Sequence, residues 1–197
     1  MVELMESTHK KLLGVSAELF AERGFSGVSM REISRSAGIT QAAIYHHFTD
    51  KEALYIAAVE YLYESQTAEL VSMASQQQDP ESALAVTVSS LLELFDRQTQ
   101  FRRIYFRELL DGDQKRLKLL ADGVFPEIHQ FLIDLMGQLA PHMDSHLMVL
   151  DLTGLIFHHL EARKLSAQLH TGRAKHQKLP YLADHIVALL LNGVRTP

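Results

Sequence analysis

The sequence of 197 residues contains no cysteine. It can therefore form no disulfide bond, and it offers neither a thiolate nucleophile nor a cysteine ligand for zinc. Because this composition suits a reducing compartment, we expect the chain to lie in the cytoplasm. No apolar stretch approaches the roughly 18 uncharged residues that a membrane helix requires. The first residues also lack the long apolar run of a signal peptide.

Motifs of common enzymes are missing as well. The sequence has no glycine-rich phosphate loop, no G-x-S-x-G segment and no H-E-x-x-H zinc motif. The 11 histidines include close pairs, but we interpret them as solvated or core residues because no cysteine accompanies them. We therefore expect no enzyme activity, no metal and no cofactor. An enzyme on a helical scaffold is the alternative, and strongly shifted titrating groups in one cleft would reveal it.

The net charge of −5 argues against a general nucleic-acid binder. The acidic excess is uneven, however, because the segment 7–52 contains six bases and five acids. Any binding of DNA must therefore depend on the placement of a few groups in this segment.

The hydrophobic pattern predicts an all-α chain, since apolar residues recur at helical spacing and no alternation of period two is sustained. We predict two helical domains, at residues 6–66 and 67–197. Thr49 and Glu52 have the spacing of a capping box, which predicts a long helix from there to about Ser75. This helix is long enough to bridge the two domains.

A short helix, a glycine turn and another short helix are predicted between Ser29 and His47. Ser29 and Glu32 have the spacing of a capping box, and Thr40 is a plausible N-cap for the next helix. Gly38 tolerates the positive φ that a tight corner requires. This pattern is typical of a helix-turn-helix, although short helices joined by glycine also occur widely in all-α proteins.

The second of these helices has an outward face that suits DNA. Ile33, Ile39, Ile44 and Phe48 have the spacing to pack inward, which leaves a polar face of Thr40, Gln41, Ala42, Tyr45 and His46. Gln41 can pair with adenine, and Thr40 can bond base edges or phosphate. Phosphate donors are predicted at Tyr45, His46 and Lys51, and at the backbone N–H groups near Ser29.

The N-terminal segment resembles the TetR family of transcriptional regulators. The resemblance covers roughly residues 8–62 and rests on LFAERGF, S-x-REI, AGIT, IYHHF and KEAL in this order. It implies phosphate contacts from Tyr45, His46 and Lys51, and base or phosphate contacts from Thr40, Gln41 and Ala42. Family members often have a basic residue and then glycine where this chain has Gln41 and Ala42. Affinity is therefore expected to depend more on Arg31, Arg35 and Lys51.

The C-terminal half contains two helices that are apolar on almost every side. They lie at about residues 147–160 and 182–191, and such helices must be covered on two faces in a soluble protein. The resemblance favours a homodimer in which these helices pair with their copies. An internal core is the alternative. Residues predicted at the dimer interface are Leu150, Gly154, Phe157, Ile186 and Leu190.

A cavity for a small-molecule effector is predicted among the middle helices. Its candidate lining residues are Met73, Phe95, Phe101, Tyr105, Phe106, His129, Phe131 and Met136, for which ordinary core packing is the alternative. We call the helix-turn-helix segment of each copy the reader. A ligand there would favour the dimer conformation to which it binds more tightly, and so one spacing of the two readers. The predicted function is thus a ligand-responsive dimeric repressor that binds a pseudo-palindromic operator. The alternative is a DNA-bound regulator that recruits a protein partner.

Overall fold

The computed structural model describes the backbone of residues 2–194 and the side chains of residues 8–63 and 67–193. Within residues 2–194 the chain forms ten α-helices and one short 3-10 helix, and no strand. The all-α prediction is therefore confirmed. The helices are α1 (Val2–Arg23), α2 (Met30–Ala37), α3 (Gln41–His47), α4 (Lys51–Ser75), α5 (Pro80–Arg97), α6 (Thr99–Asp111), α7 (Gln114–Gly123), α8 (Pro126–Leu139), α9 (Ser145–Ser166) and α10 (Leu179–Val194), with the 3-10 helix at Ala174–Gln177.

The chain forms two compact units. The first unit combines residues 2–65 with Gln98–Pro126, and the second combines Gln66–Arg97 with residues 127–194. The division inside α4 lies close to the predicted boundary at residue 66. Unlike the prediction, α6 and α7 belong to the first unit, so the domain boundaries stay a prediction. Residues 195–197 of the predicted second domain lie outside the described residues.

The first unit has a core to which α1, α2, α3 and α4 each contribute. Phe20 from α1, Ile33 from α2, Ile44 from α3 and Tyr55 from α4 are all almost completely buried. They are buried because each helix turns an apolar residue inward about every fourth position. The Tyr55 ring packs edge-on against Phe20 with ring centroids 4.9 Å apart.

The helix starts agree with the predicted caps at two sites and differ at the third. The Ser29 hydroxyl accepts from the backbone N–H of Glu32, and the Thr40 hydroxyl accepts from that of Ala43. For α4 the cap is Asp50, whose carboxylate accepts from the Ala53 backbone N–H at 2.8 Å. The predicted Thr49 cap is therefore wrong, because the carboxylate one residue later takes the N-cap position and accepts from Ala53 instead.

The second unit is built around α5, α9 and α10. Leu84, Val88 and Leu92 of α5 are buried together with Ile156 of α9 and Ile186 of α10. The helix α9 ends at Ser166, and the 3-10 helix follows before α10. Such short 3-10 turns satisfy leftover backbone groups between helices and have no clear hydrophobic period, which is why the sequence pattern did not predict it.

Candidate nucleic-acid interface

The turn between α2 and α3 depends on the left-handed backbone of Gly38. Its φ of 73° and ψ of 30° lie in the region that residues with a Cβ avoid. The Gly38 backbone N–H donates to the carbonyl of Arg35 at 3.3 Å, and that of Ile39 donates to Ser34 at 3.0 Å. These bonds close the end of α2, and the chain leaves at the angle that starts α3.

Substituting Gly38 with alanine is expected to destabilise the fold by about 1–2 kcal/mol, because the added Cβ is strained at positive φ. Space is not the obstacle, since the nearest side-chain atom to such a Cβ is the Lys11 amine at 3.9 Å. Urea unfolding followed by circular dichroism measures the change. Gly193→Ala is the control, because Gly193 lies in helix α10 and a Cβ there meets open space. Equal stabilities for the two variants would contradict the strain.

The outward face of α3 is open to solvent. Ile44 is completely buried, whereas the side chains of Thr40, Gln41, Ala42, Tyr45 and His46 are exposed. Tyr45 in particular exposes 52% of its surface. The structure thus brings together, on one short helix, the residues that were predicted to read DNA.

Ser29 and Arg31 lie on the exposed surface at the start of α2. The Ser29 backbone N–H donates to the Glu32 carboxylate at 3.2 Å, and the Arg23 guanidinium donates to the same carboxylate at 2.6 Å. These bonds, first that from Ser29 and then that from Arg23, lower the pKa of Glu32. Because one backbone donor is already used by an acid, the predicted phosphate contact near Ser29 stays a prediction.

Lys51 is half-buried at the start of α4. Its amine lies 4.2 Å from the centroid of the Phe25 ring, in a cation–π contact. Burial lowers the pKa of Lys51, and the charge of Arg116 lowers it further. Lys51 is therefore packed against the reader's own core, and it is less free to extend than the expected phosphate donor.

Two groups beside the reader were missed by sequence reasoning. The Lys11 amine of α1 lies next to the Gly38 turn. His9 of α1 stacks on Phe48 with ring centroids 5.6 Å apart and meets His47 edge-on at 5.7 Å. These contacts join positions almost forty residues apart, so no local periodicity could have indicated them.

A buried ionic network supports the base of the reader. The Tyr55 hydroxyl donates to Glu108 Oε1 at 2.8 Å, and Arg116 Nε donates to the two oxygens of Glu108 at 3.1 and 3.0 Å. Arg116 also pairs with Asp113 at 3.2 Å and lies over the Phe25 ring at 4.6 Å. Burial first, and then the bond to Glu108, raise the pKa of Tyr55, so its hydroxyl stays a donor.

Arg107 of α6 binds the C-terminal end of α1. Its guanidinium donates to the backbone carbonyls of Ala21 at 3.3 Å and Glu22 at 2.8 Å. Carbonyls in the last turn of a helix have no partner within the helix, and a cation there also complements the helix dipole.

Residues 12–58 match the family described as bacterial regulatory proteins, tetR family. This range includes α2, the Gly38 turn and α3, whose geometry is that of a helix-turn-helix. This N-terminal segment is therefore that of the TetR family, as its sequence motifs implied.

A curated TetR-type relative gives the same assignment. The chain is 34% identical over 106 residues to the HTH-type transcriptional regulator AcrR of Shigella flexneri. The match covers 53% of this chain and 48% of AcrR, so the chain spans about half the length of the curated relative.

Solved structures share the TetR fold over nearly the whole chain. The regulator FadR from Bacillus subtilis in complex with stearoyl-CoA has a TM-score of 0.76 at 16% identity, with 94% of this chain and 98% of FadR covered. AibR in complex with isovaleryl coenzyme A and operator DNA has a TM-score of 0.69 at 21% identity, with 93% and 98% covered. At these identities the likeness establishes the fold alone.

The residues predicted to line an effector pocket do not share one environment. Phe101, Tyr105 and Phe106 belong to the first unit, whereas the other five belong to the second. Phe95, Phe101 and Met136 are buried in packed core. Phe131 borders a cavity of about 340 Å³ and Met73 borders another of about 150 Å³. A pocket that all eight residues line therefore stays a prediction of the sequence.

The residues predicted at the dimer interface divide into two sets. Leu150 is 50% exposed and Gly154 is open, with nothing within 4 Å of an added Cβ. Leu190 is half-buried. Phe157 and Ile186, in contrast, are buried in the second unit, where the Phe157 ring stacks on Phe95 with ring centroids 4.5 Å apart. Those two side chains face the protomer's own core and are not available to a partner.

Two searches for other kinds of site were negative over the described residues. No helix in residues 2–194 is long and apolar enough to cross a membrane. Among the side chains of residues 8–63 and 67–193, no three histidine or acidic groups are arranged to hold a metal ion.

Proposed function

We propose that this TetR-family regulator is a dimeric repressor that binds a pseudo-palindromic operator and responds to a small molecule. The observation that carries the DNA-binding part is the outward face of α3, which exposes Thr40, Gln41, Tyr45 and His46 while Ile44 anchors the helix in the core. A helix held in this way can enter the major groove with its N-terminal residues against base edges. The regulator then acts in the cytoplasm, where bacterial DNA lies.

The residues of the reader divide by the chemistry that they offer. Gln41 presents an amide that can pair with adenine, and Thr40 and Ala42 lie beside it at the start of α3. Tyr45, His46 and Lys51 offer donors to phosphate, which position the protein without reading sequence. Ser29 and Arg31 extend this contact surface at the start of α2. Repression follows because a bound dimer blocks access of other proteins to the operator.

A second copy of the chain is proposed to pair through an exposed apolar surface on α9 and α10. We define the α9–α10 surface by Leu147, Leu150, Gly154 and Leu189, with Leu190 at its edge. Leu147, Leu150 and Leu189 expose 56%, 50% and 49% of their areas, and Gly154 allows close approach of a helix. A twofold pair places one such surface against its copy, which explains why leucines are left uncovered in the single chain. Two readers then contact half-sites roughly 34–36 Å apart.

The effector is proposed to be a small molecule that binds with different affinities to two conformations of the dimer, which differ in the spacing of their readers. Support comes from the solved neighbours FadR and AibR, each of which was solved with an acyl-coenzyme A. A ligand shifts the equilibrium only by its differential affinity for the two states. When the ligand binds more tightly to the conformation that does not fit the operator, the population of the DNA-binding conformation falls.

The test of the DNA-reading part is selection of bound sequences from a random duplex pool, repeated with two variants. Tyr45→Ala is expected to weaken binding about tenfold at every selected site, since it removes one phosphate donor. Gln41→Ala is expected to relax the preference at one position of each half-site, because an amide–base pair discriminates by about 1–3 kcal/mol. Affinities are measured by fluorescence anisotropy of a labelled duplex.

Gln168→Ala is the matched control, because Gln168 is an exposed glutamine outside the reader. Its affinity and its selected sequences should equal those of the parent. If the Tyr45 and Gln41 variants also behave like the parent, α3 is not the reading helix. Affinity that does not fall as salt rises would contradict phosphate contact in the same experiment.

A further inference from the structure

The second unit contains a cavity that none of the predicted sites includes. It has a volume of about 470 Å³ and lies at the end of the α9–α10 pair that the 3-10 helix connects. Four imidazoles line it, from His158 and His159 of α9, His176 of the 3-10 helix and His185 of α10. Cavities of this size are within the range that binds small molecules. None of the eight residues predicted to line an effector pocket borders it.

The polar lining of this cavity is one-sided in charge. Besides the four imidazoles it contains Arg163, and among the described residues that line it none is acidic. Lys175 adds a further cation near the cavity, with its amine 4.7 Å from the centroid of the Tyr181 ring. Imidazole, guanidinium and phenol groups all donate hydrogen bonds, and the first two bear or can take up positive charge. Such a lining favours an anion.

The rest of the lining is apolar and uncovered. Leu165 and Leu169 expose 67% and 54% of their areas at the cavity, while Leu182 is buried beneath them. Burial of leucines that are half or more exposed provides a hydrophobic driving force for a hydrocarbon ligand. The cavity therefore combines a cationic side with a hydrocarbon-binding side.

We propose that this cavity binds an amphipathic carboxylate, with the anion against the imidazoles of His159 and His185 and the hydrocarbon on Leu165 and Leu169. Binding requires that the proposed dimer leaves this end of α9 and α10 open. Its effect on the operator complex rests on the proposed function, as an effector that acts through α9 and α10. A metal ion is a poorer fit, because no three potential ligands in the described residues are arranged to hold one.

The imidazoles lie close enough to influence one another. The ring centroids of His159 and His185 are 5.9 Å apart, and those of His158 and His159 are 6.4 Å apart. Burial lowers the pKa of His159, and the nearby His185 and His158 lower it further. Arg163, which pairs with Asp96 of α5 at 2.5 Å, and His176 of the 3-10 helix line the same cavity.

A bound anion would oppose the effects that lower the pKa of His159. A carboxylate beside His159 favours imidazolium, so binding takes up protons when it occurs above the pKa of the free ring. The affinity for the anion should then rise as the pH falls from 8 to 6. A single linked proton contributes at most about tenfold in affinity per pH unit.

The test is isothermal titration of the full-length protein with octanoate at pH 6.5 and pH 8.0. We expect saturable binding that is at least fivefold tighter at pH 6.5, and at least tenfold weaker binding in His185→Gln and His159→Gln. Octan-1-ol is the neutral probe and should bind at least tenfold more weakly than octanoate at pH 6.5. Circular dichroism melting checks that each variant is folded.

His142→Gln is the matched control, since His142 is an exposed histidine outside the cavity. It should leave octanoate affinity unchanged. The proposal is overturned if octanoate shows no saturable binding, as when a second copy fills the cavity, or if both cavity variants bind like the parent. Equal binding of octanol would overturn it as well, because the site would then be merely apolar.

The operator complex gives a separate outcome. Octanoate that binds a protein unable to bind any selected duplex would refute the proposed function and leave the cavity site standing. A protein that binds DNA but not octanoate would refute the cavity site and leave the proposed DNA binding standing.

Discussion

Replacing Glu108 with alanine is expected to lower the free energy of unfolding by about 3–5 kcal/mol. Glu108 is 2% exposed, and it accepts from both the Tyr55 hydroxyl and Arg116 Nε. Removing its carboxylate leaves the buried Arg116 without its closest acid and leaves the Tyr55 hydroxyl without its acceptor. Desolvated groups that lose their partners cost far more than the pair itself contributes. Urea unfolding, followed by circular dichroism, measures this loss.

Glu93→Ala provides the control for this substitution. Glu93 pairs with Arg97 on the surface at 3.2 Å, with both side chains more than half exposed. Exposed pairs of this kind contribute about 0–1 kcal/mol, so the variant should unfold nearly like the parent. A Glu108 variant no less stable than Glu93→Ala would show that Arg116 finds adequate compensation in Asp111 and Asp113.

Because the network touches α4, α6 and α7, loss of Glu108 should also loosen the reader. Tyr55 packs on Phe20 and Phe25 in the core beneath α2 and α3. We expect the Glu108 variant to bind DNA more weakly even at temperatures where it is folded. Glu108 is in this sense a positioning residue, since it does not reach the surface that faces DNA.

Replacing Leu150 with arginine is expected to convert the proposed dimer to monomers and to weaken operator binding about 100-fold or more. Leu150 is half exposed at the α9–α10 surface, so arginine there is solvated in the single chain. In a twofold pair it would bring like charges together in an apolar contact, which is unfavourable. Each reader would then bind its half-site alone. Sedimentation equilibrium gives the oligomeric state, and fluorescence anisotropy gives the affinity.

Leu110→Arg is the matched control, because Leu110 of α6 is 85% exposed and lies outside the α9–α10 surface. It introduces the same charge and should leave both the mass in solution and the operator affinity unchanged. A Leu150 variant that still sediments as a dimer would exclude this surface as the interface. A parent protein that is monomeric would refute the dimer itself.

Much of the reader could be predicted because its determinants are local. The capping bonds of Ser29 and Thr40 each connect positions three residues apart, and the Gly38 turn is closed by bonds of the same short range. The exposed face of α3 follows from the burial of Ile44 by simple helical geometry. The roles of these residues toward DNA stay predictions, since they depend on a duplex.

The support of the reader could not be predicted because its partners are distant in sequence. Tyr55 and Glu108 are 53 positions apart, and Arg107 meets the α1 carbonyls 85 and 86 positions away. Likewise, nothing in the local pattern places the Lys51 amine over Phe25. The apolar periodicity of α9 also could not separate Leu150, which is exposed, from Phe157, which is buried against Phe95.

The amino-acid sequence by itself thus determined the all-helical class, the helix-turn-helix and the family, because propensity, capping and turn chemistry act within a few residues. Only the tertiary structure decided that α6 and α7 join the reader's unit, that Arg116 rather than a surface arginine binds Glu108, and that four histidines meet at one cavity. These outcomes depend on which helix faces become neighbours when the core excludes water. Contacts between helices that are distant in sequence produce no periodic pattern in the amino-acid sequence.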